Sequence, residues 1–330
     1  MANGLYRKIT MGIATETGTY GNGMASPTYS IPNVELQVEE VTDKVENSAM
    51  FGSSYAVNDS MMSTQHTNFN MKMKVDENLL PLFLKQKFTI VSAAVGGDAA
   101  VYTHTLAYNT SNAGSDYTLF FQDPDRTSMK ITGCKFDKID LEATQDNFVL
   151  LTVSGKGKYP TTWTGSNTMV APREFVGRNV SYRFATATGS LAETKVLDLK
   201  LSHAFPLSDD KVNVSLGSST YDGLYTLADR FESEVTLLMP DTTIKGYYDN
   251  YTKVQSDVTI TDTGRIITGS VTNLNPSIIF TYPIQEILKW TREGGLDDLV
   301  QQKLSLLALN KTGTSDAPMK VVIKNSVASY

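Results

Sequence analysis

The sequence predicts a mainly β protein of α+β character, built as two tandem units, each a β-sandwich or barrel sector with one helix packed on it. Three observations carry this expectation. Phe51-Gly52-Ser53-Ser54-Tyr55 recurs as Leu216-Gly217-Ser218-Ser219-Thr220-Tyr221, with the glycines 165 positions apart, and internal repetition of this kind marks units that build a surface together. After each copy comes a strand-like alternation, Phe69, Met71, Met73 and then Val235, Leu237, Met239, which runs into an aspartate, Asp76 or Asp241. The composition agrees: 41% hydrophobic and 19% charged residues describe a folded chain, and 16 tyrosines among many Thr, Val and Ser favour strands.

Residues 1–33 read as an extended N-terminal arm, because Gly12, Gly18, Gly21, Gly23, Pro27 and Pro32 exclude a helix and few apolar residues are spaced for a core. The first unit spans 34–154. Val34, Leu36 and Val38 alternate with Glu35, Gln37 and Glu39, the period of a strand with one buried face. Its partner is the run 68–75, and residues 42–66 between them read as a long protruding loop. Asp76 is placed to N-cap a short helix through Leu79, Leu80, Leu82, Phe83 and Leu84, with Pro81 tolerated near the first turn. Phe136 to Ala143, the turn 144–147 and Phe148 to Ser154 form a hairpin.

Residues 155–173 read as a linker, and the second unit spans 174–310. Its helix follows Asp241 with the stripe Ile244, Tyr247, Tyr248 and Tyr251. Pro283 to Thr291 and Leu299 to Leu309 have helical propensity, yet Gly294-Gly295 breaks a helix, so a hairpin is expected. Residues 311–330 form a C-terminal tail with one strand-like piece, Met319 to Ile323.

No catalytic constellation stands out. The three histidines, His66, His104 and His203, are not in metal-ligand spacing with one another or with Cys134, and a structural role is expected for each. Gly18 to Gly23 and Gly155-Lys156-Gly157-Lys158 lack the strand, helix and spacing of a phosphate loop. Ser208-Asp209-Asp210 lacks further oxygen ligands for a cation. Glu35, Glu39 and Asp198 suit a solvated face better than a hydrolase pair. No cofactor, no metal and no enzymatic activity are expected. The lone cysteine excludes an internal disulfide. The net charge of −6, from 29 basic and 35 acidic residues, disfavours a surface built to grip nucleic acid, since such binding is driven by cations displacing counterions. No apolar run approaches the roughly 18 residues of a membrane span, and the first residues lack the apolar core of a signal peptide, so cytosolic synthesis without a membrane partner is expected.

Glu16-Thr17-Gly18-Thr19-Tyr20-Gly21, Pro27 and Ile31-Pro32-Asn33-Val34-Glu35, with the long loop, the Asp76 to Lys85 helix and the closing hairpin with Leu299-Val300-Gln301-Gln302, resemble the tail tube proteins of long-tailed bacteriophages. The resemblance implies tail-tube-like units whose strands line a β-barrel ring, with rings stacked through arms and loops into a hollow tube that conducts DNA during ejection. A duplicated chain then builds the sixfold wall from three subunits, with a hexamer as the other arrangement. Implied partners are further copies of the chain, a tape measure protein in the lumen during assembly, tail terminator and distal tail proteins, and DNA in transient, non-specific passage; the implied location is the virion. The second unit lacks the Glu-Thr-x-Gly arm. With Val34, Leu36 and Val38 turned to the helix, the lumen-facing set is Glu35, Gln37, Glu39, Asn70, Lys72, Asp198, Lys200, Glu234 and Thr236. The alternative roles are a tail terminator or secretion-tube-like ring, and a carbohydrate-binding β-sandwich module.

Overall fold

A computed structural model describes residues 9–32, 34–48, 57–98, 100–110, 114–168, 170–171, 173–208, 213–238, 242–269, 271, 273–294, 300–310 and 317–330. Phe51 to Tyr55, the first copy of the recurring motif, lies outside these residues, as do residues 1–8, Asp209, Asp210, Asp241 and Leu296 to Leu299. The first half contains β1 (Thr10–Thr15), β2 (Tyr29–Ile31), β3 (Glu35–Ser48), β4 (Val57–Lys74), α1 (Leu80–Leu84), β5 (Phe88–Ala94), β6 (Tyr102–Tyr108), β7 (Tyr117–Gln122), β8 (Met129–Thr144), β9 (Leu150–Gly157) and β10 (Thr161–Thr162). The second half contains β11 (Val180–Thr186), β12 (Ala192–Thr194), β13 (Val196–Ala204), β14 (Arg230–Leu238), α2 (Thr242–Asp249), β15 (Val254–Thr261), β16 (Ile267–Thr268), β17 (Asn273–Leu274), β18 (Ser277–Glu293), β19 (Gln301–Ala308) and β20 (Lys320–Asn325). The protein is mainly β and its strand pairings are antiparallel; all the strands except β16 and β17 belong to one hydrogen-bonded network.

The spine of that network is a run of eight strands in the order β3-β4-β9-β8-β13-β14-β19-β18. Alternation along each strand gives the spine two unlike faces. On one face a row of apolar and aromatic side chains crosses six strands, Leu36, Met71, Val153, Ile139, His203 and Phe231. One residue along, the row reads Glu35, Lys72, Thr152, Asp140, Ser202 and Glu232. The apolar face is covered by the rest of the chain. All five residues of α1 are buried, and Phe83 meets Phe136 edge-on at 5.2 Å. On α2, Ile244 is buried and Tyr247 and Tyr248 pack against the core.

The two long strands leave the spine at their N-terminal ends. The first part of β8 pairs with β7 and β10, and β7 pairs with β1. The first part of β18 pairs with β15 and β20.

Several expectations are corrected here. Residues 9–32 do not form a free arm: Met11, Ile13 and Ala14 of β1 are core residues, because the strand is sandwiched between β2 and β7. Glu16 fastens the glycine-rich turn that follows, its carboxylate accepting from Thr118 Oγ1 at 2.7 Å, Gly133 N at 2.8 Å and Gly21 N at 3.0 Å. Residues 42–48 and 57–66 are not loop; they continue the β3–β4 ladder as a ribbon that is exposed over 42–47 and 59–63 and is buried again at His66. Asp76 does not cap α1, whose N-cap is Leu79; its carboxylate instead accepts from Asn78 N at 2.7 Å in the preceding turn. Tyr251 falls outside the α2 stripe, since φ of +53° ends the helix before it and leaves the ring exposed. The 155–173 segment is not a solvated linker: Gly155 and Gly157 lie in β9, and Trp163 packs on Phe120. The C-terminal segment is built into the fold, with β20 between β18 and β6. The two expected hairpins, β8–β9 and β18–β19, form.

Two ionic contacts, one partly and one fully buried, tie distant parts of the chain. Arg265 Nη1 and Nη2 donate to the two Glu77 oxygens at 3.1 and 3.2 Å, and Asn325 Nδ2 donates to the Glu77 carbonyl at 3.0 Å. Lys87 Nζ lies 3.2 Å from Asp229 Oδ2 with both side chains 3% exposed, and Tyr108 OH donates to the same oxygen at 2.6 Å. Removing one partner of such a pair strands the other charge, whereas removing both does not. Asp229→Ala is therefore expected to lower the unfolding free energy by about 3–5 kcal/mol in urea titrations, and Lys87→Met with Asp229→Leu to lower it by less than the single change.

Candidate functional site

The feature with functional content is the polar face of the eight-stranded spine. Glu35, Gln37, Glu39, Asn70 and Lys72 are exposed on it, while Val34, Leu36 and Val38 pack against the core from the opposite side of β3. Glu35 stands across from Lys72, Gln37 from Asn70 and Glu39 from Asn68, whose Nδ2 donates to Glu39 Oε2 at 3.2 Å. In the other half of the spine, Asp198, Lys200, Glu234 and Thr236 line one shallow depression together with Lys303. The ladder thus puts all nine sequence-selected residues on one face. Thr236 is the exception in exposure: it sits between Asp198 and Lys303 across the ladder and is 7% exposed, so it offers little surface.

Several charges on this face are paired, Lys200 and Lys303 across strands and Lys138 along β8. Lys200 Nζ is 2.7 Å from Glu142 Oε1 and 3.9 Å from Asp140 Oδ2. Lys138 Nζ is 2.7 Å from Asp140 Oδ2, and Ser202 Oγ donates to Asp140 Oδ1 at 2.7 Å. Lys303 Nζ is 2.7 Å from Glu293 Oε2. The hydrogen bond to Glu142 raises the Lys200 ammonium above its ordinary value, and that to Glu293 does the same for Lys303. Exposed pairs of this kind stabilise a fold by at most about 1 kcal/mol each. Their consequence is electrostatic: each of these lysines has a carboxylate as its neighbour.

Sequence reasoning missed Lys138, Asp140 and Glu142, which share this face with the selected residues. The alternation of Lys138, Asp140 and Glu142 with Ile139, Leu141 and Ala143 carried the signal. Lys289, Thr291 and Glu293 were missed for a physical reason, since an irregularity between Ile287 and Lys289 shifts the alternation of β18.

The three histidines lie within the fold. His66 stacks on Tyr221 at 5.1 Å. His104 is bonded to Ser92 Oγ and Asn325 Oδ1, both at 2.8 Å. His203 Nε2 is 2.8 Å from Tyr282 OH. Cys134 is buried, and burial pushes its thiol well above the ordinary value. Among the described residues no three His, Cys, Asp or Glu side chains are grouped to hold a metal ion, and no helix is long and apolar enough to cross a membrane.

No protein-family model matches the chain, and no curated protein matches it.

Burial lowers the His203 imidazole from its ordinary 6.5 to about 4, with Asp140 pulling weakly the other way. The unfolded chain therefore binds the proton first, and the stability this group contributes above pH 6.5 is lost as pH falls toward 4. Asp76, Glu77 and Asp116 act in the opposite sense, because burial raises their carboxyls. A comparison of wild type with His203→Phe isolates the histidine. From pH 7 to pH 5 wild type is expected to lose about 2 kcal/mol more than the variant in urea titrations; equal pH slopes would contradict the assignment.

Proposed function

We propose that this chain is a structural tube subunit, similar in role to the tail tube proteins of long-tailed bacteriophages, whose rings stack into a hollow tube that conducts DNA. The observation that carries the reading is the order of the spine. In sequence order, β3 and β4, then a helix, then the hairpin β8–β9 make one quartet with spatial order first, second, last, third. β13 and β14, then a helix, then the hairpin β18–β19 make a second quartet with the same order. Each has a helix on its apolar side and a long third strand that leaves the sheet at its N-terminal end. Two tandem tail-tube-like units account for this pattern, and three chains then provide six quartets for a ring.

The polar face suits a channel wall. Non-specific affinity for a duplex comes from cations that release counterions from phosphates. A wall on which Lys138, Lys200 and Lys303 already sit beside carboxylates offers a passing duplex little to hold. The implied partners follow: copies of the same chain in the ring and in neighbouring rings, a tape measure protein filling the lumen during assembly, terminator and distal proteins at the ends, and DNA in transit.

Electron microscopy of the purified protein tests this directly. Rings of three chains with pseudo-sixfold symmetry, stacked into tubes, are the expected result. A monomer that persists at high concentration would overturn the reading, six chains per ring would overturn the tandem account, and rings that never stack would favour a terminator-like role. Replacing Glu35 and Glu39 together by Lys tests the wall. Particles with this change are expected to assemble normally and to eject DNA slowly at low salt, with the defect easing as salt rises; unchanged ejection at low salt would remove these glutamates from the channel.

A further inference from the structure

β8 and β18 occupy matching places in the two quartets, but their edges are not equally filled. One edge of β8 is taken by β7 as far as Cys134 and by β13 from Lys138 onward, while β9 holds the other edge. The matching edge of β18 is taken by β15 as far as Gln285; β19 holds the opposite edge from Gln285 to Glu293. From Glu286 to Glu293 no strand among the described residues pairs with the first edge. At the other end of the spine β3 pairs with β4 and, among the described residues, with no other strand. Its counterpart β13 gives that same edge to β8.

We propose that the open edge of β18 receives the open edge of β3 from a second copy of the chain, so that the β8–β13 ladder inside one molecule is repeated between molecules. This deepens the tube reading and rests on it for the ring that such contacts close. Two unlike edges meeting head to tail make a heterologous contact, which propagates until it closes on itself.

The internal ladder also sets the register. Phe69 and Val235 occupy corresponding positions, opposite Val38 and Leu199 respectively, and one strand further they pair with Gly155 and Leu304. Beside these, Ser154 pairs with Lys138 and Lys303 with Thr291, so Thr291 is the counterpart of Lys138. Lys138 pairs with Ala204, which lies five residues beyond Leu199. The residue five beyond Val38 is Asp43. Thr291 of one copy therefore stands opposite Asp43 of the next, and Glu293 opposite Val41.

Two features of β3 fit this role. β4 pairs with β9 only from Thr67 on and Gln65 bridges Thr220, so 42–48 with 57–64 run past the sheet as a two-stranded ribbon, an arrangement marginal by itself; a third strand from a neighbour supports it. The edges also differ in charge: residues 40–46 of β3 carry Glu40, Asp43 and Glu46 against Lys44, whereas 286–293 of β18 balance Glu286 and Glu293 with Lys289 and Arg292. Fixed charges on open edges oppose pairing of like with like.

The test is a Thr291→Cys, Asp43→Cys double variant of the full chain. Paired residues in an antiparallel ladder lie about 4.5–5.5 Å apart at Cα, within disulfide reach, and the native Cys134 is buried. Oxidation is expected to give covalent oligomers that end at the ring stoichiometry, whereas Thr291→Cys with Glu39→Cys, roughly 13 Å out of register, stays uncrosslinked. Backbone amide exchange in the unmodified protein provides a measurement that needs no variant: residues 41–48 and 286–293 are expected to become protected together on assembly. Rings in micrographs without the Thr291–Asp43 crosslink, or without that protection, would overturn the pairing and leave the tube reading standing. Absence of rings from wild type would overturn both.

Discussion

The rest of the molecule depends on the β8–β13 ladder. It joins two four-stranded sheets into one spine without a break in hydrogen bonding, from Asp198 opposite Thr144 to Ala204 opposite Lys138. Because side chains alternate with a period of two, this register also keeps the apolar rows of both halves on one side. A slip by one residue would turn Leu199, Leu201 and His203 outward and bury Asp198, Lys200 and Ser202. The ladder therefore fixes the sheet and the common polar face at once. The buried contact of Lys87 with Asp229 and the partly buried one of Arg265 with Glu77 then hold the two halves against each other away from the ladder. Charges removed from water contribute little net stability but penalise any arrangement that separates them.

Much of this was legible in the sequence, and the reasons for the misses are physical. The β8–β9 hairpin was readable because its strands alternate and its turn carries Asp and Asn. The β18–β19 hairpin was readable from Gly294-Gly295 against a helical propensity. The β3–β4 extension was not, since a ribbon exposed on both faces has no apolar period to detect: Val45, Met61 and Met62 are all more than half exposed. β1 was hidden by glycine. Gly12 was counted against structure, yet it is there because a Cβ would come within 2.5 Å of Pro27. β20 was recognised as strand-like but assigned to a tail, because a buried central strand and a short apolar run in a loop look alike over six residues. Nothing in a single strand says which partner it will find.

For the candidate site the same limit applies in another form. Alternation on β3, β4, β13 and β14 identified which residues share the polar face, and the ladder places all nine of them there. What alternation does not give is the neighbour across the strand. That Lys200 bonds to Glu142, 58 residues away, and Lys303 to Glu293 follows from pairing register alone. Thr236 shows the same gap, since its cover comes from its place between Asp198 and Lys303 and not from its own strand.

Cross-strand pairing changes how the charge of this face acts. Counting residues gives a mixed surface; pairing them gives one in which a lysine and its carboxylate are already mutual counterions. A phosphate approaching Lys200 must compete with Glu142 at 2.7 Å and with Asp140 at 3.9 Å, so contact exchanges one ion pair for another and releases few mobile ions, which are the source of salt-dependent affinity. Over distances longer than the roughly 8–10 Å Debye length at ordinary salt, the pairs are close to neutral and attract nothing. On the tube reading, low friction toward DNA is then a property of strand register more than of composition. The ladder that joins the two halves is also what sets Lys200 beside Glu142.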